Sequence, residues 1–278
     1  MNIQYNNVSK TLGPRAAQVF TELNQRRRAV FTLSDVTDIT GLSRVAASNL
    51  IAQLHRHGVV TRLKPGLYNL VPFELGWSRE HIESPYLIAR EMAGSAPHFL
   101  SHGTAFELHR LVTQPNFTIY LSCTHRLRAQ NIAGYDFHFV HVKPEHVFGL
   151  TKHWVDKERF VMITDLEHTI IDALKQPAYV GGITEAAKGM WMRREQLNVE
   201  QLVSYALRLR NGAVIRRLGY LLELYGLAEA PQLARLSSQL TMTNQRLDPT
   251  LPAEGKILTR WRVQLNVTPE ELQAVRYG

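Results

Sequence analysis

Apolar residues recur at helical spacing near the start of the chain. Ala16, Phe20 and Leu23 share one face of a segment that opens with Gly13-Pro14. Proline suits a first helical turn, where its missing N–H leaves no bond unmade. Arg26-Arg27-Arg28 is read as closing this helix, against the negative end of its dipole. Val30-Phe31-Thr32 follows as a short strand. Ser34 is the expected N-cap of a second short helix with Val36 and Ile39 inward. Thr40-Gly41-Leu42 then turns the chain, glycine taking a conformation that other residues resist. Ser43 caps a third helix that runs to about His57 and stops at Gly58. On the helical wheel, Ala46, Ala47, Leu50, Ile51 and Leu54 occupy one arc of it. Arg44, Val45, Ser48, Asn49, Ala52, His55 and Arg56 occupy the other.

Val59 to Leu63 and Leu67 to Val71 predict two strands joined by a tight turn at Lys64-Pro65-Gly66. Pro72 argues against further pairing, and a domain boundary is expected near Glu74. Beyond it the pattern is mixed. Helices are expected over Ile82–Met92 and Gly103–Leu111. Strands are expected at Phe99-Leu100, Phe117–Leu121, Tyr135–Val142 and Phe160–Ile163. Thr164 and Glu167 have capping-box spacing ahead of a helix through Leu174. From Ile183 onward the chain reads as mainly helical, over Leu202–Leu209, Val214–Leu224 and Gln232–Leu240. A last strand, Thr259–Val267, and a short helix begun by Thr268-Pro269 complete it. The fold class is therefore α+β. Residues 1–73 are expected to form a winged helix-turn-helix, and residues 74–278 a larger mixed α+β domain with a helical C-terminal part.

Charge sharpens this division. The chain carries a formal net charge of +8 over 278 residues. Residues 1–73 hold nine Lys or Arg against three acids, whereas the remainder holds 23 against 21. A basic excess confined to a patterned segment is what phosphate neutralisation requires. Within it, Ser43, Arg44, Val45, Ser48 and Asn49 make a small, polar face at the N-terminal end of the third helix, suited to a major groove. Arginine can donate to guanine, asparagine to adenine, and valine can touch a thymine methyl. Arg56, Arg62, Lys64 and Tyr68, with Arg26 and Arg28, are the further DNA-contact candidates, placed to meet the phosphate backbone.

Other chemistry finds less support in the residues. No apolar run is long enough to span a bilayer, and Met1 to Lys10 lacks the apolar stretch of a secretory signal. A cytoplasmic protein is expected. The single cysteine, Cys123, excludes an internal disulfide framework. Ser101-His102-Gly103-Thr104 ahead of a helix is similar to the phosphate-gripping turn of nucleotidyltransferases. The next strand, Phe117–Leu121, lacks the paired carboxylates that such enzymes need for Mg²⁺. His98, His102, His109, His138, His141 and His146 do not assemble a recognisable metal set, since His138 and His141 point to opposite faces of a strand. Asp165, Glu167 and Asp172 read as capping and helix-dipole residues. No catalytic residue, metal or cofactor is expected.

Several motifs spread over both halves resemble the AbiEi family, the antitoxin components of abortive-infection (type IV) toxin–antitoxin systems. They are Lys64-Pro65-Gly66-Leu67-Tyr68, Leu100-Ser101-His102-Gly103-Thr104 through His109, and Asp165-Leu166-Glu167-His168 through Asp172 with Gly181-Gly182. Val214 through Glu223, and Leu247-Asp248-Pro249 to Arg260-Trp261-Arg262, complete the set. The resemblance implies a winged domain that binds inverted repeats in the promoter of its own operon, with self-association on double-stranded DNA. It implies a second domain that counters a cognate nucleotidyltransferase-like toxin, without requiring a stable complex with it. One departure stands out: the family's wing tip favours a basic residue before glycine, where this chain has Pro65, which donates no backbone hydrogen bond. The alternative left open is a stand-alone winged-helix transcription factor whose second domain senses a ligand or oligomerises.

Overall fold

The computed structural model describes residues 13–72, 83–112, 117–132 and 134–276. Met1 to Lys10, the Glu74 boundary and the Ile82 helix start lie outside the described residues. The chain forms two compact units. The first comprises Met1–Gly94, Gln130–Asp136 and Trp154–Val161; the second comprises Ser95–Ala129, Phe137–His153 and Met162–Gly278.

In the first unit, Gly13 caps α1 (Pro14–Gln25) and Pro14 occupies its first turn. The helix ends at Gln25, with no basic residue in its last turn, so the arginine run follows the helix rather than closing it. Strand β1 (Val30–Thr32) leads into α2 (Leu33–Thr40). The cap of α2 is Thr32, not Ser34. At the extended end of β1 the Thr32 hydroxyl accepts the Asp35 N–H, while the Asp35 carboxylate accepts the Thr32 N–H at 2.6 Å. Ser34 lies inside the helix. Gly41, at φ +66°, closes α2 in the left-handed region. Ser43 caps α3 (Arg44–Arg56) by accepting the Ala46 N–H at 3.3 Å.

Strands β2 (Val60–Lys64) and β3 (Leu67–Leu70) form a hairpin turned at Pro65-Gly66, and Gly66 sits at φ +82°. Arg62 faces Tyr68 across the hairpin and Lys64 faces Leu67, with a bulge between. β1 pairs antiparallel on the other side of β3, giving the order β1-β3-β2. Val19, Phe20, Leu23, Phe31, Val36, Ala47, Ile51, Leu54 and Leu70 pack into one core. Each large aliphatic or aromatic member contributes about 1.5–3 kcal/mol by burial. Through Leu70 the unit thus consists of three helices followed by a hairpin whose second strand pairs with β1, the strand between the first two helices. Helix α4 (Pro85–Ala93) belongs to the same unit and starts at a proline.

The chain continues through β4 (His98–Leu100), α5 (His102–Leu108) and β5 (Thr118–Cys123), then β6 (Gln130–Ile132) and β7 (Tyr135–His141). Next come β8 (Leu150–Trp154), β9 (Phe160–Thr164) and α6 (Leu166–Lys175). In the second unit β4 pairs antiparallel with β5 and parallel with β9. Helices α7 (Ile183–Met192), α8 (Val199–Leu209), α9 (Gly212–Tyr225) and α10 (Ala230–Ser237) build its main core with α6. Asp165 caps α6, accepting the His168 N–H at 2.8 Å. The Thr164–Glu167 capping box does not form, because Thr164 bonds Thr169 and Glu167 accepts from the Asn198 N–H.

The expected strand Thr259–Val267 is also not continuous. Ile257–Leu258 (β11) and Val263–Gln264 (β12) pair as an antiparallel hairpin, and residues 259–262 are its turn. β10 (Gln245–Arg246) joins β12 in parallel. The turn sends Trp261 into the core, where its indole N–H donates to Glu223 at 2.6 Å. Gly219 makes room for the ring: a Cβ there would lie 2.1 Å from it. Helix α11 (Pro269–Gln273), capped by Thr268 with Glu271, is followed by a 3-10 turn at Ala274–Arg276.

Candidate nucleic-acid interface

α3 divides as its sequence pattern predicts. Ala47, Ile51 and Leu54 are buried, while Arg44, Val45, Ser48, Asn49, Ala52 and Arg56 are exposed. Val45 is 72% exposed, in the first turn of the helix. Ser43 is exposed but its hydroxyl is committed to the cap. His55, on the same helix, bonds the Val60 carbonyl through Nδ1 at 2.9 Å and ties α3 to the hairpin.

The cations of this unit fall into two sets. Arg26 pairs with Glu22 at 2.7 Å, and Arg27 with Glu158 at 3.7 Å. Arg28 bridges Asp35 at 2.7 Å and Glu91 at 2.8 Å. Burial opposes the Arg28 charge, but the two carboxylates prevail and raise its pKa above the ordinary arginine value. Asp35 is likewise pushed up by burial, and the Thr32 hydrogen bonds with the Arg28 charge bring it below the ordinary carboxylate value. Arg26 and Arg28, both expected to meet the phosphate backbone, each pair with a carboxylate in the structure. By contrast, Arg15, Arg44, Arg56, Arg62 and Lys64 have no carboxylate within 4.0 Å among the described residues.

Arg15 was missed as a candidate because nothing in its spacing marks it. Its guanidinium donates to the Thr40 carbonyl at 3.3 Å, and Gln18 donates to Ile39 at 2.9 Å. α1 thereby sets a cation beside the turn that leads into α3. On the hairpin, Arg62 is exposed. Lys64 is part-buried and donates to Gln130 Oε1 at 2.7 Å, and burial pushes its pKa down. Tyr68 turns inward and packs on Phe31, ring centroids 5.8 Å apart, so most of its surface serves the core.

In the second unit the Ser101-His102-Gly103-Thr104 turn is enclosed. Ser101 bonds Ser122 at 2.8 Å; His102 bonds Ser101 and Gln176, each at 2.9 Å. Thr104 accepts the Tyr120 N–H at 2.8 Å. Burial pushes His102 below its ordinary pKa against the pull of Asp172. These groups bond protein where a phosphate grip would leave them open. His98, His109 and His138 bond the Ala96 carbonyl, the Thr164 carbonyl and the Tyr179 hydroxyl. Among the described residues no three His, Cys, Asp or Glu side chains converge as a metal set, and no helix is long and apolar enough to cross a membrane.

The third helix of the first unit thus has an exposed face and is followed by a hairpin, and Arg44, Arg56, Arg62 and Lys64 on these two elements have no carboxylate within 4.0 Å among the described residues. Residues 20–71, from α1 through the wing, match the family model described as "Transcriptional regulator, AbiEi antitoxin". The chain also resembles a solved structure, the RV2827C protein from Mycobacterium tuberculosis. That likeness has a TM-score of 0.65 at 18% identity and covers 96% of each chain, so it shows a shared fold across both units. No curated protein matches the sequence.

Proposed function

We propose that the chain is an autoregulating antitoxin whose first unit binds double-stranded DNA. The observation that carries this reading is the exposed face of α3, where Arg44, Val45, Ser48 and Asn49 stand with no carboxylate within 4.0 Å of the arginine among the described residues. α3 lies in the major groove with these side chains toward base edges. Arg62 and Lys64 on the wing, with Arg56 and Arg15, meet phosphates. Two copies on an inverted repeat repress the chain's own promoter, and the second unit counters a nucleotidyltransferase-like toxin. The family match over residues 20–71 supports the regulator half, and the description of that family as an antitoxin is what supports the second half.

Two experiments test the two halves. Gel-shift titration on the chain's own promoter DNA should give specific binding, and Arg44→Ala or Asn49→Ala should each reduce discrimination by about 1–3 kcal/mol. Unchanged discrimination in both variants removes α3 from the groove. The gene beside this one should encode a nucleotidyltransferase-like toxin, and co-expression of the two should restore growth. Failure of the full chain to do so removes the antitoxin half and leaves the DNA reader standing.

A further inference from the structure

Lys64 ends β2 at the wing turn, where a long side chain would ordinarily sample many rotamers. Its ammonium is instead held by Gln130 Oε1 at 2.7 Å. Gln130 opens the Gln130–Asp136 segment, which lies far along the chain yet compacts with the first unit. That segment is braced internally, Asn131 donating to Asp136 at 2.8 Å, with Gly134 at φ +84°. A β-bulge between Arg62 and Lys64 shifts the register of the hairpin just before the lysine.

The partner's chemistry matters as much as the contact. Arg26, Arg27 and Arg28 are each met by a carboxylate. Lys64 is met by a neutral amide, which accepts one of three N–H bonds and supplies no counter-charge. The ammonium is thus part-buried, held by one hydrogen bond and without a carboxylate within 4.0 Å among the described residues. A phosphate oxygen answers all three conditions. We infer that Gln130 is a positioning residue for the wing: it holds Lys64 in the rotamer that meets the DNA backbone. This rests on the DNA-binding reading above.

The test is fluorescence anisotropy of the full chain on a short mixed-sequence DNA duplex across a salt series, with K64A, Q130A and Q130E. Replacing Lys64 should lower the slope of log affinity against log salt by about 0.9. Q130A should weaken binding roughly two- to tenfold at the wild-type slope, because the charge still reaches phosphate from a mobile side chain. Q130E should bring the slope down to that of K64A, because it supplies the counter-charge. Wild-type affinity and slope in both Gln130 variants overturn the positioning role while the DNA reading stands. Equal slopes for Q130A and Q130E also overturn it, reducing Gln130 to a structural contact. A wild-type chain that binds no duplex overturns the DNA reading itself, and this inference with it.

Discussion

Arg26, Arg27 and Arg28 leave α1 one after another, and every guanidinium meets a carboxylate. Arg44, Arg56, Arg62 and Lys64, on α3 and the wing, meet none among the described residues. In sequence the first set is the denser basic run and the more obvious phosphate site. In the fold it is a set of internal ties: Arg28 links α2 to α4 through Asp35 and Glu91. The second set is scattered in sequence and lies on α3 and the hairpin strand that follows it. Positive charge counted along a chain therefore overstates the charge available to a ligand, and the correction is made by where the acids fold.

The comparison can be broken most severely at Arg28. Arg28→Ala leaves the Asp35 and Glu91 carboxylates part-buried without their cation, and should lower stability by about 2 kcal/mol in denaturant unfolding. DNA affinity per folded molecule should stay unchanged. The loss is pH-dependent in a defined sense. Asp35 is depressed in the folded state, so its stabilisation is complete above its unfolded value near 3.8 and fades as pH falls through the lower folded value. Unfolding midpoints followed down through that window should fall for the wild type and stay flatter for Arg28→Ala.

A smaller effect separates the two candidate caps of α2. Thr32→Ala should cost about 1 kcal/mol, since it removes the hydroxyl from the capping box, whereas Ser34→Ala should stay within about 0.5 kcal/mol. Equal losses in thermal melts would contradict the assignment. Smallest of all is Arg26→Ala. It removes an exposed pair to Glu22 one helical turn away, worth about 0.3–0.5 kcal/mol, and should leave DNA binding intact.

Much of the first unit was legible in the sequence because local rules governed it. Pro14 at the first helical position, Gly41 and Gly66 at positive φ, and the Ser43 cap all lie where spacing places them. The inner and outer arcs of α3 follow the wheel. What sequence could not supply were partners from distant chain. Thr32 won the cap of α2 from Ser34 because β1 ends in the extended conformation a cap needs. Arg28 is taken by Glu91, and Lys64 by Gln130, across separations of 63 and 66 residues. In the second unit, Thr259 to Val267 alternates like one strand, yet residues 259–262 turn so that Trp261 can fill the space left at Gly219. Tyr68 shows the same competition within the wing, its ring claimed by Phe31 rather than by a ligand.

The most direct test uses two double variants that remove the same charge. Arg62→Ala with Lys64→Ala, and Arg26→Ala with Arg27→Ala, each delete two cations from the first unit. Duplex DNA affinity is measured for both and for the wild type across a salt series. The wing pair should lower the slope of log affinity against log salt by about 0.9 for each phosphate no longer neutralised, and the arginine-run pair should leave it unchanged. Equal falls in slope for the two variants would contradict the division between answered and unanswered cations.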